Sequence, residues 1–169
     1  RRRTADAQSP PSGCSTAPSS NSGQPWRGSQ VSARSMTRVP RNPANPFYGQ
    51  DKAHNPDGRR FVDRGLGAAV NKPAEDGKFK VPTLRNIART APYMHNGYFT
   101  TLRGAVAFYN DRDVRKRCPQ DLPEAEANRR KCWPAPEVAA NVNTDELGRL
   151  GLSEREVDDI VAFLRTLDD

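Results

Sequence analysis

The run from Lys80 to Gly97, KVPTLRNIARTAPYMHNG, limits the folds open to this chain more tightly than any other stretch. Val81 precedes a proline and is pushed toward extended backbone. Pro82 has its φ already set and no N–H to satisfy, so it suits the first position of a helix. Thr90-Ala91-Pro92-Tyr93 ends that short helix, and Met94-His95-Asn96-Gly97 follows as a turn. The turn presents a thioether and an imidazole on irregular backbone braced by a helix, a setting in which binding residues concentrate.

At 169 residues the chain allows one ordinary domain with a real core. Hydrophobic residues make up 34 % and Gly plus Pro 27 positions, which points to a loop-rich domain. A net charge of +7 raises nucleic acid as a partner, but residues 1–39 hold six arginines against Asp6, a balance of +5, leaving +2 of alternating sign. Those arginines sit among Ser, Pro and Gly without interleaved aromatics, which argues against nucleic-acid binding. No apolar run reaches the roughly 18 residues a bilayer span needs. The three opening arginines are not followed by an apolar leader core, and the chain opens on Arg rather than Met, as a fragment or processed chain would.

Residues 1–38 are poor in apolar side chains and cannot bury enough surface to order themselves. Residues 39–80 are dominated by loops, with Asn-Pro and Asp-Gly turn signals at 42–43, 45–46, 55–56, 57–58 and 76–77. A helix is predicted from Thr100 or Thr101 to about Asn110, its apolar face being Leu102, Ala105, Val106 and Tyr109. Residues 113–143 return to irregular structure, bounded by Pro119, Pro123, Pro134 and Pro136. A last helix starts at Ser153, whose capping box is completed by Glu156 and whose staple is Leu152 with Val157. Val157, Ile160, Val161, Leu164 and Leu167 make its apolar stripe. There is no internal repeat and no strand signal of useful length, so residues 39–169 are expected to form a mainly α, loop-rich domain.

The run Pro82-Thr83-Leu84-Arg85-Asn86 with Thr90-Ala91-Pro92-Tyr93-Met94-His95-Asn96-Gly97 resembles the carboxy-terminal haem domain of the bacterial di-haem cytochrome c peroxidases and related methylamine-utilisation enzymes. Further segments resemble the same family: Val39 to Gly49, Asp63 to Gly67, Pro134 to Val138, Asn141 to Gly148, and the terminal helix from Leu150 to Leu167. The similarity covers residues 39–169 and stops at its amino-terminal edge. It implies a class I cytochrome c-like fold, in which a terminal helix packs across an earlier one and loops wrap a haem. It also implies a periplasmic location.

Covalent haem attachment needs C-x-x-C-H. The chain lacks this motif: its cysteines are Cys14, Cys118 and Cys132, and neither histidine follows one. In the family the motif lies upstream of the loop that matches Val39–Tyr48, so the distal half of a haem pocket is expected here, with the attachment half either missing or out of view. Codons for Arg34 to Arg38 can be chosen that spell Phe-Asp-Asp-Thr-Gly in a shifted frame, the kind of sequence the family has before this loop. Residues 1–38 are therefore either an out-of-frame segment or a genuine low-complexity tail; the same shift cannot spell C-x-x-C-H anywhere within them.

The resemblance implies haem c as cofactor and two candidates for the iron. Tyr109 lies fourteen positions beyond His95, where the peroxidases carry a methionine ligand and the methylamine-utilisation relatives a tyrosine. Met94 is the alternative, otherwise lining the pocket or filling core. A phenolate would hold ferric iron at low potential, whereas a thioether favours plain electron transfer. His95 is either a group beside the haem or a hydrogen-bonded turn histidine, and His54 reads as solvated surface. Thr90 and Pro92 match positions whose carbonyls bind calcium in the peroxidases, with the other oxygen ligands coming from elsewhere. Cys118 and Cys132 are either a disulfide or two free thiols, without the spacing of a zinc site.

The family reading makes this chain a haem-binding electron-transfer domain. Its partners would be a second haem domain, which reduces hydrogen peroxide, and a small electron donor such as a cytochrome c or cupredoxin. The isolated fragment would be inactive as a peroxidase. The alternative is a haem-free remnant serving only as a structural or interaction domain, in which the space around Tyr93, Met94 and Tyr109 is left as a cavity or collapses.

Overall fold

The structure, a computed structural model, describes residues 38–169; of the segment 1–38 read as disordered or out of frame, all but Arg38 lies outside the described residues. Four helices carry the fold: α1 Leu66–Val70, α2 Leu102–Asp111, α3 Glu124–Arg129 and α4 Glu154–Arg165. Loops and single 3-10 turns join them.

α2 is the central element. Its amino end is fixed by Thr101, whose hydroxyl accepts from the Gly104 N–H. The Glu124 carboxylate, 5 % exposed, joins the same end. It accepts from the Thr100 N–H and hydroxyl, both at 2.6 Å, and from the Thr101 hydroxyl at 3.0 Å. An anion there also complements the helix dipole. Gly104 makes room for it, since a Cβ at that position would lie 1.7 Å from Glu124 Oε1.

One side of α2 packs into an aromatic core. Phe108 and Phe99 are fully buried with Trp133, the Phe108–Trp133 ring centroids lying 5.2 Å apart and those of Phe99–Phe108 5.0 Å. Such tilted and edge-on pairs suit the ring quadrupoles. The Trp133 indole N–H is satisfied by Asp111 Oδ1 at 2.8 Å.

Trp133 is delivered by a feature that the sequence pattern does not announce. β1 Lys116–Arg117 and β2 Cys132–Trp133 pair in parallel, with Lys116 opposite Cys132 and Arg117 opposite Trp133. Two residues per strand are too few for an alternating pattern to register. Cys118 and Cys132 are joined as a disulfide, which settles the open choice between a bridge and free thiols.

α4 forms as its sequence requires. Ser153 and Glu156 exchange the reciprocal bonds of the capping box, Val157 and Val161 are buried, and Ile160, Leu164 and Leu167 are half-buried. The helix packs across α2.

The expected helix from Pro82 does not form. Among residues 81–93 there is a single 3-10 turn, Ile87–Arg89. Asn86 takes a left-handed backbone, φ 56°, which no continuing right-handed helix can contain. Tertiary bonds hold it there: its N–H donates to the Leu167 carbonyl at 2.9 Å, and its side-chain oxygen accepts from the Asp169 N–H at 2.9 Å. Anchoring to the end of α4 thus overrides the local helix-start signal.

Candidate functional site

Two environments meet at the turn Tyr93–Gly97. The first is an apolar cavity of about 350 Å³. α2 contributes Leu102, Ala105, Val106 and Tyr109 to it, the very face that hydrophobic periodicity picks out. α4 contributes Ile160 and Leu164; Leu84 and Ile87 come from the run before the turn, and Tyr93 and Met94 from the turn itself. Leu147, Leu150 and Leu152 close it from the loop before α4. The pocket around Tyr93, Met94 and Tyr109 is therefore a cavity rather than a collapsed contact.

A polar contact inside it joins the two candidate iron ligands: the Tyr109 hydroxyl donates to Met94 Sδ at 3.6 Å, a length suited to the large sulfur atom. Met94 reaches this position from a left-handed backbone, φ 68°. Leu84 and Leu150, 49 % and 43 % exposed, form an apolar rim.

The loop before α4 is sewn to the end of α2. The Gly148 N–H donates to the Tyr109 carbonyl at 2.7 Å, and the Asp113 N–H donates back to the Gly148 carbonyl at 2.9 Å. Gly148 has φ 98°, and a Cβ there would meet Asp113 Oδ2 at 2.2 Å, so only glycine closes this seam. Arg112, enclosed completely, donates from Nη2 to the carbonyls of Asn143 at 2.5 Å and Leu147 at 2.9 Å. Its charge is balanced by Asp113, 2.8 Å away. Asp113 is held below the usual carboxylate range: burial pushes it up, but the Arg112 and Arg38 guanidinium groups outweigh that.

The second environment is polar and lies on the other side of the turn. His95 does not line the cavity. Its ring stacks on Phe79 with centroids 3.6 Å apart, and Nε2 lies 3.6 Å from Glu137 Oε2. The Glu137 side chain is 3 % exposed. It accepts from the Tyr48 hydroxyl and the Asp63 N–H, both at 3.3 Å, and from Asn96 Nδ2 at 3.2 Å. Burial alone would raise its pKa, yet His95 and the donors from Asp63 and Asn96 outweigh it and leave the pKa lowered. Asn96 Nδ2 also donates to the Pro40 carbonyl at 2.8 Å, and Asn42 Nδ2 to the Asn96 carbonyl at 2.9 Å. The segments beginning at Val39, Lys80 and Pro134, far apart in sequence, converge on this knot.

Of the remaining candidates, Pro92 lines a cleft with Asn42, His95 and Asn96, whereas Thr90 and His54 line neither environment. Thr90 is exposed and its hydroxyl donates to the Ile87 carbonyl at 3.2 Å, while Pro92 follows Ala91 through a cis peptide. Among the described residues no group of three or more His, Cys, Asp or Glu is placed to hold a metal ion. His54 is exposed and its Nδ1 lies 2.8 Å from Asp51 Oδ1. Glu137 and Arg112 escape sequence reasoning; a lone glutamate in a Pro-rich loop and an arginine after an amphipathic helix carry no local signal of burial.

No known family profile matches the chain. Individual relatives do. Methylamine utilization protein MauG of Paracoccus denitrificans is 48 % identical over 115 residues, 66 % of this chain and 29 % of that protein. Cytochrome-c peroxidase IdrP1 of Denitromonas iodatirespirans is 36 % identical over 118 residues, 69 % of this chain and 25 % of that protein. Among solved structures, a MauG-like protein associated with microbial copper homeostasis shares 30 % identity over 63 % of this chain and 27 % of its own, with a TM-score of 0.48. The chain thus spans between a quarter and a third of the length of these relatives. By this shared sequence the chain belongs to the bacterial di-haem cytochrome c peroxidase family that includes the methylamine-utilisation enzymes, as a carboxy-terminal haem domain.

Proposed function

We propose that this chain is the distal half of a haem-binding electron-transfer domain with a class I cytochrome c-like fold. The observation that carries the reading is the pairing of Tyr109 and Met94 in an otherwise apolar cavity. A phenol and a thioether side by side in such a cavity match the axial-ligand chemistry of haem iron. Tyr109 is the iron ligand in this reading and Met94 lines the pocket beside it, with His95 bracing the turn from behind. Leu84, Ile87, Ile160 and Leu164 would exclude water from the macrocycle. The attachment side comes from outside the described residues, since Cys118 and Cys132 are joined to each other and neither His54 nor His95 lines the cavity. Haem, when bound, supplies a reversible one-electron couple; this chain supplies orientation, dryness and the iron's electronic environment.

In the longer parent protein, the partners would be a second haem domain that reduces hydrogen peroxide and a small donor such as a cytochrome c or cupredoxin. The setting would be the periplasm. Among the described residues no helix is long and apolar enough to cross a membrane. Reading the encoding DNA in all three frames, upstream of and across residues 1–38, tests whether a C-x-x-C-H lies in another frame or just upstream.

Haemin titration into the full chain tests the cavity directly. The expected result is a stoichiometric Soret band whose position changes in Tyr109→Phe. Absence of uptake would overturn the reading in favour of a haem-free structural remnant, a second reading favoured by the consumption of both described cysteines in one disulfide.

A further inference from the structure

We infer that the basic face formed by β1, β2 and the loop before α4 is a docking surface for an acidic protein partner. A cleft of about 510 Å³ has Arg38, Arg115, Arg117 and Arg149 in its walls and the enclosed Arg112 beneath them, with Asp113 the sole carboxylate among its walls. The parallel pairing puts Lys116 and Arg117 alongside the β2 strand, directly after Lys131. Lys131 and Arg115 both line a neighbouring cleft, with Arg103 and Glu154 paired to each other in its wall, so the two clefts meet at Arg115.

The internal carboxylates neutralise only part of it. Asp111 is taken by Arg115 at 2.6 Å, and Asp113 by Arg112 at 2.8 Å and Arg38 at 3.3 Å. Arg117 donates to the Pro134 carbonyl at 2.7 Å and forms no ion pair among the described residues. Among the described residues the Arg149 and Lys131 side chains have no ion pair or hydrogen bond. Arg117 and Arg149 are exposed, and carboxylates from a second protein would meet their guanidinium groups in the paired geometry these favour.

A protein surface fits this face better than a nucleic acid. Trp133, under the Arg115 guanidinium, lies buried rather than available for base stacking. The face is also placed for a redox partner. The Arg115 guanidinium lies 4.7 Å over the Trp133 ring, and Phe108 sits between Trp133 and Tyr109 at the cavity wall. Identification of the partner as the electron donor rests on the haem reading above; the docking itself rests only on charge and geometry.

Fluorescence anisotropy of a labelled glutamate-rich peptide with the full chain, without haem, tests the docking. Saturable binding that weakens with salt is expected. The double variant Arg149→Glu with Lys131→Glu should lose at least about tenfold in affinity, while Arg59→Glu, outside this face, should lose less than about twofold. No saturable binding, an equal loss in Arg59→Glu, or tighter competing binding by a single-stranded oligonucleotide of equal charge would each overturn the inference. Peptide binding by a chain that takes up no haemin would leave the docking face standing and remove only the redox identity of its partner.

Discussion

Met94 and His95 are neighbours in sequence and face opposite worlds. Met94 turns into a cavity with Tyr109 as its polar neighbour; His95 turns into a knot in which Glu137 gathers donors from three separate segments. The knot is finished within this chain: its acceptors and donors answer one another. The cavity is not, because its walls are apolar, its rim leucines are half in solvent, and no described side chain fills it. The contrast separates two uses of one turn. The His95 side holds the backbone still, so that the Met94 side can keep an open space that would otherwise tend to collapse.

Breaking the knot should have the largest effect. Glu137→Ala strands the Asp63 N–H, the Asn96 amide and the Tyr48 hydroxyl, and is expected to cost about 3 kcal/mol of stability. Glu137→Gln keeps the shape and part of the bonding and should cost about half as much. Denaturant midpoints measure both; a loss under about 0.5 kcal/mol in the alanine variant would mean that the knot does not brace the turn. Its pH dependence follows from the lowered pKa of Glu137. The stability from its ionised form is fully present above its ordinary value of 4.5 and fades as pH falls through the lower native value. Wild type should therefore lose more stability than Glu137→Ala on acidification below pH 4.5, and parallel acid curves would contradict the assignment.

Filling the cavity tests the other half of the comparison. Val106→Phe places a ring in empty space and should raise the stability of the haem-free chain by about 1 kcal/mol while abolishing haemin uptake. A destabilised variant would show that the cavity is tighter than its volume implies. Ser153→Ala removes the cap of the helix that carries Ile160 and Leu164, and should cost about 1 kcal/mol. Hydrogen exchange should then rise in the first turn of α4 and leave residues 93–97 unchanged.

What is legible in the sequence follows the same division. The cavity face of α2 and the cap and stripe of α4 are local patterns, so periodicity and capping residues reveal them directly. The knot is assembled from residues at 40, 48, 63, 96 and 137, and no local pattern encodes such convergence. Phe108 and Trp133 are likewise hidden as core: Phe108 flanks the apolar stripe of α2 beside Ala105 rather than lying within it, and Trp133 is placed by a two-residue strand and a disulfide. The expected helix at Pro82 fails for the same reason, a long-range bond from Asn86 to the end of α4 outweighing a good local start.

The smallest change in stability carries the sharpest chemical consequence. Tyr109→Phe removes one hydroxyl that donates to a sulfur, and the phenyl ring fills nearly the same space. Its cost should stay below about 1 kcal/mol, since a thioether is a weak acceptor. Were Tyr109 a structural residue alone, nothing else would change. As an iron ligand it governs which groups reach the metal, and its loss should leave Met94, already 3.6 Å from the missing oxygen, as the remaining donor at that wall. The spectrum of the haemin complex should then move from phenolate-like toward thioether-like ligation, and its reduction potential should rise. An unchanged spectrum with unchanged stability would mean that the tyrosine merely lines the wall, and that the cavity was built to hold something other than an iron facing Tyr109.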